Sequence, residues 1–276
     1  MKIFNFMLPM MILLLSVSGC FWGGKKTETH QSGRLEYVEY LRFGPAGTHG
    51  SKGWYINDRE LKVNGRQWQP EEIEVKDITC QVSPNQAVEA LKCNSFKGMK
   101  QTVYIVRMKD DTPELVMAAA IESVKGDDSG SWADDGHWVL FRNYYFNVET
   151  SEKRAVKGLP GEVDKYFIAA SPDLETIIYP DGCYDFVRDE SGEVTNMDEY
   201  QKHYDKFQER RKNGIAAFWL IEARTGEVEI LELKITDYPF AKNPHAYLTV
   251  DWLKEFKSKL VWEKDKNGKD RLVYPK

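Results

Sequence analysis

The sequence predicts an all-β fold with one inserted helix. From Arg34 onward, short runs rich in Val, Ile, Tyr, Phe and Trp are separated by turn dipeptides, which is the pattern of strands and hairpins. Asn-Gly pairs at 64–65 and 267–268 and a Thr-Gly pair at 225–226 divide three of these stretches. Asn-Gly accepts the positive φ at both central positions that a tight hairpin requires. We therefore predict hairpins over 60–68, 218–231 and 259–274.

The hairpins recur as a larger unit. At four places a strand runs into a polar turn and returns as an apolar strand; these copies cover 82–91, 131–141, 170–179 and, more loosely, 250–262. A second hairpin follows most of them, at 103–118, 144–156 and 218–231. Four strands at a spacing of about 40 to 50 residues are typical of propeller blades. We predict a small four- or five-bladed β-propeller-like repeat domain, with an open antiparallel sheet or a β-sandwich as the alternative.

The polar turns carry a resemblance. Ser-Pro-Asn at 83–85 and Ser-Pro-Asp at 171–173 resemble the Ser-Pro-Asp-Gly turn that joins the inner strands of each blade in periplasmic and enzyme-associated β-propellers. The match is degenerate, because the copy at 133–136 has no Pro and Leu174 takes the place of the Gly. We expect the early apolar run 37–43 to close the ring by pairing with a strand near 272–274, which would remove two exposed edges.

One helix is predicted from Met197 to Lys212. Asn196 is a suitable N-cap, and Asn213-Gly214 is a stop signal directly after the last turn. Aromatic residues at helical spacing predict a face that packs against a sheet; they are Tyr200, Tyr204 and Phe207. The helix falls within a unit of the repeat, so we assign an insertion at 183–214.

The N-terminus carries an export signal. Lys2 precedes an almost unbroken apolar run over 3–17, shorter than the roughly 20 residues that span a bilayer as a helix. The sequence Val-Ser-Gly-Cys at 17–20 resembles the lipobox of bacterial lipoproteins, although Val17 stands where Leu is most common. An ordinary cleaved signal peptide is the alternative.

The lipobox resemblance implies an anchored protein. Cys20 would become the acylated first residue, and two or three acyl chains hold a protein stably at a membrane. Phe21, in place of the Asp that retains such proteins at the inner membrane, favours the periplasmic face of the outer membrane. The implied organisation is a signal peptide at 1–19, a lipid-anchored flexible tether at 20–33 and a β-repeat domain at 34–276.

The remaining cysteines and the histidines are the candidates for chemistry. Cys80 and Cys93 flank the first Ser-Pro turn, which predicts neighbouring strands and a possible disulfide, with two free thiols as the alternative. Cys183 has no evident partner. None of the five histidines is spaced from another His, a Cys or an acidic residue in a pattern typical of metal ligands, so we assign no metal and no cofactor. The five histidines are His30, His49, His137, His203 and His245.

The net charge and the lack of common catalytic motifs in the sequence limit the classes of function that we expect. The formal net charge of -5 provides no basic field for nucleic acid, and no phosphate-binding loop or nucleophile motif occurs, so we assign no catalytic residue. The expected function is a non-catalytic module that binds an envelope protein partner, in its sharper form an immunity or inhibitor lipoprotein. The alternative is an envelope polysaccharide hydrolase or glycan-binding protein, because paired carboxylates can lie far apart in sequence and Trp residues can stack on sugars.

Overall fold

The computed structural model describes residues 24–46, 51–97, 100–121, 130–141, 143–159, 168–180, 196–234 and 256–273. Most of the regular structure of these residues is β-strand, with one long helix, α1, so the predicted class, all-β with one inserted helix, is confirmed. The chain forms two compact units, the first ending at Ile78 and the second beginning at Thr79. The single domain predicted for 34–276 is therefore divided at this point.

The first unit contains a four-stranded antiparallel meander. Its strands β1 to β4 span Lys25–Ser32, Leu35–Ala46, Ser51–Val63 and Arg66–Trp68. The predicted Asn64-Gly65 turn joins β3 to β4 with φ values of +51° and +72°. A register shift in the β2–β3 pairing occurs between Tyr40 and Leu41.

Two sequence predictions fail in this sheet. Most of the tether predicted at 20–33 is β1, which pairs along all eight residues with β2, and Gly33 with a φ of +58° lies in the turn between them. The run 37–43 lies in β2 between β1 and β3, so it does not pair with a strand near 272–274. The tether prediction was wrong because β1 contains no apolar residue and therefore gives no strand signal.

Among the residues that the structure describes, three further four-stranded sheets follow, each an antiparallel meander in sequence order, and then a hairpin. The second sheet has β5 to β8 at Ile78–Val82, Ala90–Lys97, Lys100–Lys109 and Thr112–Ile121. The third has β9 to β12 at Ser131–Trp132, Trp138–Leu140, Tyr144–Asn147 and Lys153–Ala155. The fourth has β13 to β16 at Ala169–Ala170, Thr176–Pro180, Ile215–Glu222 and Val228–Lys234, and the hairpin has β17 and β18 at Val261–Lys264 and Asp270–Val273.

The sheets of the second unit share cores with their neighbours in the chain. In β10, Val139 belongs to a core with the second sheet, while Trp138 and Leu140 belong to a core with the fourth. A third core joins the fourth sheet to the β17–β18 hairpin, where the rings of Phe218 and Phe256 stack with centroids 4.2 Å apart. Alternate residues of a strand point to opposite faces, so an inner sheet that is apolar on both faces joins two cores.

The predicted helix is confirmed as α1, Met197–Lys212. The Asn196 Oδ1 accepts the Glu199 backbone N–H at 3.1 Å, as an N-cap does, and Gly214 has a φ of +66° where the chain turns into β15. The helix is inserted between two paired strands, β14 and β15, of one sheet. Tyr204 is exposed, so the expected packing of the aromatic face on a sheet is incomplete. Residues 183–195 of the predicted insertion lie outside the described part.

Candidate functional site

The polar turns of the second unit lie side by side. Each joins the first two strands of its sheet. The Ser83 hydroxyl donates to the Gly136 carbonyl at 2.9 Å, and the Asn85 amide reaches the Asp134 carbonyl at 3.4 Å. Gly136 has a φ of +73°, and a Cβ there would lie 2.6 Å from the Pro84 carbonyl oxygen. A glycine is therefore required where these two turns meet.

The third turn is tied together by its own side chains. The Ser171 hydroxyl donates to Asp173 Oδ1 at 2.6 Å and accepts the Thr176 N–H at 2.9 Å. The same Asp173 oxygen accepts the Glu175 N–H at 3.1 Å. The Ser-Pro-Asp sequence thus folds as a turn because the serine and aspartate satisfy backbone groups that the turn leaves unpaired.

A reciprocal pair of aspartates links this turn to β18. The Asp173 N–H donates to Asp270 Oδ2 at 2.9 Å, and the Asp270 N–H donates to Asp173 Oδ2 at 3.0 Å. Lys264 Nζ lies 2.6 Å from Asp270 Oδ1 and offsets the two negative charges. Burial alone would raise the pKa of Asp173, but the Ser171 hydroxyl and two backbone amides outweigh it and lower that pKa. Asp173 is therefore an ionised structural acid.

A cavity of about 310 Å³ lies beside this turn, within the second unit. Its walls come from the third-sheet turn, the fourth-sheet turn and the segment that leads into β17. The apolar lining residues are Ala133, Ala170, Pro172, Leu174, Leu260 and Trp262, and the polar ones are Asp134, Asp135, Ser171 and Lys257. Lys257 forms an ion pair with Asp134. The cavity therefore has an apolar lining and a charged margin of both signs.

A buried tyrosine lies close to the acids of this region. Tyr145 shares a core with Ala133 and Leu174, and its hydroxyl makes no hydrogen bond to the described residues. Burial, followed by the charges of Asp135 and Asp173, raises the pKa of Tyr145 well above its ordinary value. The hydroxyl is therefore neutral and leaves a hydrogen-bond donor unused inside the protein.

The acids at the cavity are engaged in structural contacts. Asp134 pairs with Lys257, Asp135 Oδ1 accepts the His137 N–H at 2.9 Å, and Asp173 is fixed by the turn. Glycoside hydrolysis needs one carboxyl group that stays protonated opposite one that stays ionised. The pKa of Asp173 is lowered, so this carboxyl group is not the protonated member of such a pair.

The predicted disulfide between Cys80 and Cys93 is present. The Ser83 N–H donates to the Ala90 carbonyl, so these two residues face each other across the turn. Cys80 lies three residues before Ser83, and Cys93 lies three residues after Ala90, so the two cysteines face each other as well. Antiparallel partners directly opposite each other come close enough for a disulfide, whose Cβ atoms lie about 3.5–4.5 Å apart. Cys20 and Cys183 lie outside the described residues.

Sequence reasoning missed a group of ligand-type side chains in the first unit. Oxygen or nitrogen atoms of Glu28, His30 and Glu39 lie within 4.8 Å of one another. The available signal was the spacing of two between Glu28 and His30, which puts both on one face of a strand, but this stretch was predicted as a tether. Of the other histidines, His137 Nδ1 lies 2.7 Å from Glu149 Oε2 and His203 lies on α1, while His49 and His245 are outside the described part.

Comparison with known proteins assigns the chain to no family. The chain matches no protein-family model and no curated protein. No helix within the described ranges is both long and apolar enough to cross a membrane. The class of this chain is therefore given by its fold: the described residues form antiparallel β-sheets with one inserted helix.

Proposed function

We propose that the protein is a lipid-anchored cell-envelope protein whose small β-propeller-like domain binds another envelope protein without catalysis. The observation that carries the proposal is the cavity at the turns of the third and fourth sheets. It combines an apolar lining with a charged margin, and its acids serve the fold. Repeat β architectures commonly use the loops at one end of their sheets for recognition.

The size and chemistry of the cavity suit a protruding side chain of a partner. About 310 Å³ is at the small end of ligand sites, enough for one large side chain with its neighbours. Trp262 offers an aromatic contact inside the cavity, and Lys257 and Asp134 lie at the margin. Aromatic anchors surrounded by polar groups are typical of the residues that dominate binding energy at protein interfaces.

The N-terminal end of the first sheet supports the anchoring part of the proposal. The described chain begins at Gly24, four residues after Cys20, and four residues span at most about 14 Å. The Trp54 ring lies against Gly24, and Tyr55 and Ile56 beside it are exposed. Exposed Trp and Tyr residues are typical of proteins that contact the headgroup region of a bilayer.

Basic residues accompany this aromatic end. Lys25 and Arg42 are cross-strand partners, and Arg42 is also paired with Tyr55. Exposed cations near aromatic residues favour contact with anionic lipid headgroups. An acyl chain on Cys20 would therefore bring to the membrane the end of the first sheet that is chemically suited to it.

The anchoring is tested by metabolic palmitate labelling of the full chain and of Cys20→Ala. We expect the label on the wild-type protein in the envelope fraction, at the periplasmic face of the outer membrane, and none on C20A. An unlabelled wild-type protein, or a soluble one with an unmodified N-terminus, would refute the anchoring.

The binding function is tested with two charge reversals on exposed lysines. Lys257→Glu changes the cavity margin and separates its pair with Asp134, whereas Lys266→Glu, in the β17–β18 turn, is the matched control because it does not line the cavity. From detergent-solubilised envelopes, we expect one stoichiometric protein to co-purify with the wild type and K266E, and to be lost with K257E. Equal recovery by both variants, or recovery of no stoichiometric protein, would refute the proposal.

A second candidate function has one observation in its favour. Trp262 lies in the same cavity as Asp134 and Asp135, and an aromatic ring beside carboxylates is a common way to hold a sugar. Turnover of an envelope-glycan panel by the wild-type protein, abolished in Asp135→Asn, would establish the hydrolase in place of the binding module. If the protein partner is itself a toxic enzyme whose activity the wild type blocks, the narrower function is an immunity or inhibitor lipoprotein.

A further inference from the structure

One histidine and two glutamates converge on one face of the first sheet. Glu28 in β1 is directly opposite Glu39 in β2, and His30 is opposite Tyr37. Since alternate residues share a face, Glu28, His30, Tyr37 and Glu39 all lie on the same side. The ligand atoms of the histidine and the two glutamates lie within 4.8 Å of one another.

The surroundings of Glu39 leave one of its oxygens turned toward His30. Tyr37 donates its hydroxyl to Glu39 Oε1 at 2.7 Å, and Arg59 Nε lies 3.8 Å from the same oxygen. Glu39 is only 9% exposed, yet the described contact of its Oε2 is His30 Nε2, at 4.0 Å. The Oε2 oxygen is therefore the one that a cation shared with His30 would contact.

We propose that Glu28, His30 and Glu39 form a binding site for Zn²⁺ or a similar divalent transition metal. An imidazole nitrogen and two carboxylate oxygens are ligands that Zn²⁺ accepts, at about 2.0–2.2 Å each, with a fourth position left for water or a ligand from a partner. Two ligand atoms on one tetrahedral ion lie about 3.4 Å apart, so the three side chains, whose ligand atoms lie within 4.8 Å of one another, move together by about 1 Å. Glu28 and His30 are partly exposed and free to make that adjustment.

The neighbouring cations are compatible with this site. Lys26 pairs with Glu28, but both side chains are substantially exposed and such surface pairs contribute little, so a divalent ion displaces the lysine. Arg59 and Tyr37 lie at Oε1 and not at the oxygen that faces His30. They therefore hold the carboxylate in place, as groups behind a metal ligand commonly do. The bound ion would join the polar strand β1 to β2.

The test is titration of Zn²⁺ alone into the full mature chain in detergent, without a histidine tag and after removal of metal by a chelator. We expect one equivalent to bind and to raise the melting temperature. His30→Ala and Glu28→Gln should each weaken the affinity at least tenfold, and Tyr37→Phe by about 10- to 100-fold, the effect usual for a group behind a ligand. The matched control is His137→Ala, whose histidine is similarly exposed, 41% against 42%, and faces a single carboxylate.

Three results would overturn the site. They are the absence of one-equivalent binding by the wild type, equal affinity in H30A and the wild type, and loss of binding in H137A. Circular dichroism of each variant identifies a folding defect. If H30A proved to be misfolded, E28Q, at a partly exposed residue, would decide the matter by retaining or losing the affinity.

Discussion

Replacing Asp270 with Ala should destabilise the second unit by about 1.5–3 kcal/mol, the range for a hydrogen bond to a charged group. The substitution removes the acceptor of the Asp173 N–H, bonded at 2.9 Å, from a residue that is only 6% exposed. The Asp270 N–H is backbone and still donates to Asp173, so half of the reciprocal pair survives. The exposed Lys264 loses its partner, which adds little because solvent screens that pair.

The assay is urea unfolding, followed by tryptophan fluorescence and by circular dichroism, with two comparison variants. Asp270→Asn keeps an acceptor oxygen and should lose clearly less stability than D270A. Lys264→Ala removes only the exposed ion pair and should lose least. A D270A protein no less stable than K264A would refute the reasoning, because it would mean that desolvation of the buried carboxylate cancels its hydrogen bond.

Further predictions concern single features of the second unit. Because the pKa of Asp173 is lowered by folding, its carboxylate stabilises the fold at pH values above the unfolded-state pKa of about 3.9. This stabilisation should be lost as the pH falls through the folded-state pKa. Urea titrations at several pH values should show that the free energy of unfolding depends less on pH in Asp173→Asn than in the wild type. Tyr145→Phe removes an unpaired buried hydroxyl and should change the free energy of unfolding by less than about 0.5 kcal/mol or increase it; a loss above about 1 kcal/mol would reveal a bound hydroxyl. Replacing both Cys80 and Cys93 with Ala should cost about 3 kcal/mol in urea unfolding, from a loop closed over a separation of 13 residues, and thiol titration of the denatured wild type should find neither of them free. Gly136→Ala should lower the melting temperature, since a Cβ would clash with the neighbouring turn at a positive φ, and an unchanged melting temperature would contradict that contact.

Local sequence signals predicted most of the second unit. The Asn267-Gly268 turn, the N-cap at Asn196 and the alternation of apolar residues in strands all act within a few residues, and the structure has the corresponding hairpin, helix and sheets. Such features depend on backbone geometry that neighbouring residues determine. The sequence indicated the disulfide as possible, because its cysteines flank one short turn, but only the register of the two strands decided between a disulfide and two free thiols.

The candidate sites were predictable only in part. The Ser-Pro-Asp turn indicated where the sheets begin, but the cavity beside it also needs Lys257 and Trp262, which are far along the chain. The Glu28–His30–Glu39 group depends on β1, whose polar residues gave no strand signal and whose pairing with β2 is made by backbone hydrogen bonds. The spacing of two between Glu28 and His30 fits a strand, but without apolar residues it did not distinguish a strand from a polar tether.

The sequence by itself determined the all-β class, the helix and its ends and the hairpin turns, because each follows from interactions between residues close in the chain. The tertiary structure alone decided that Asp173 meets Asp270, 97 residues away, that one cavity draws on three segments, and that His30 faces Glu39. These contacts depend on which sheet faces and strands come together, and that is set by packing of the whole unit.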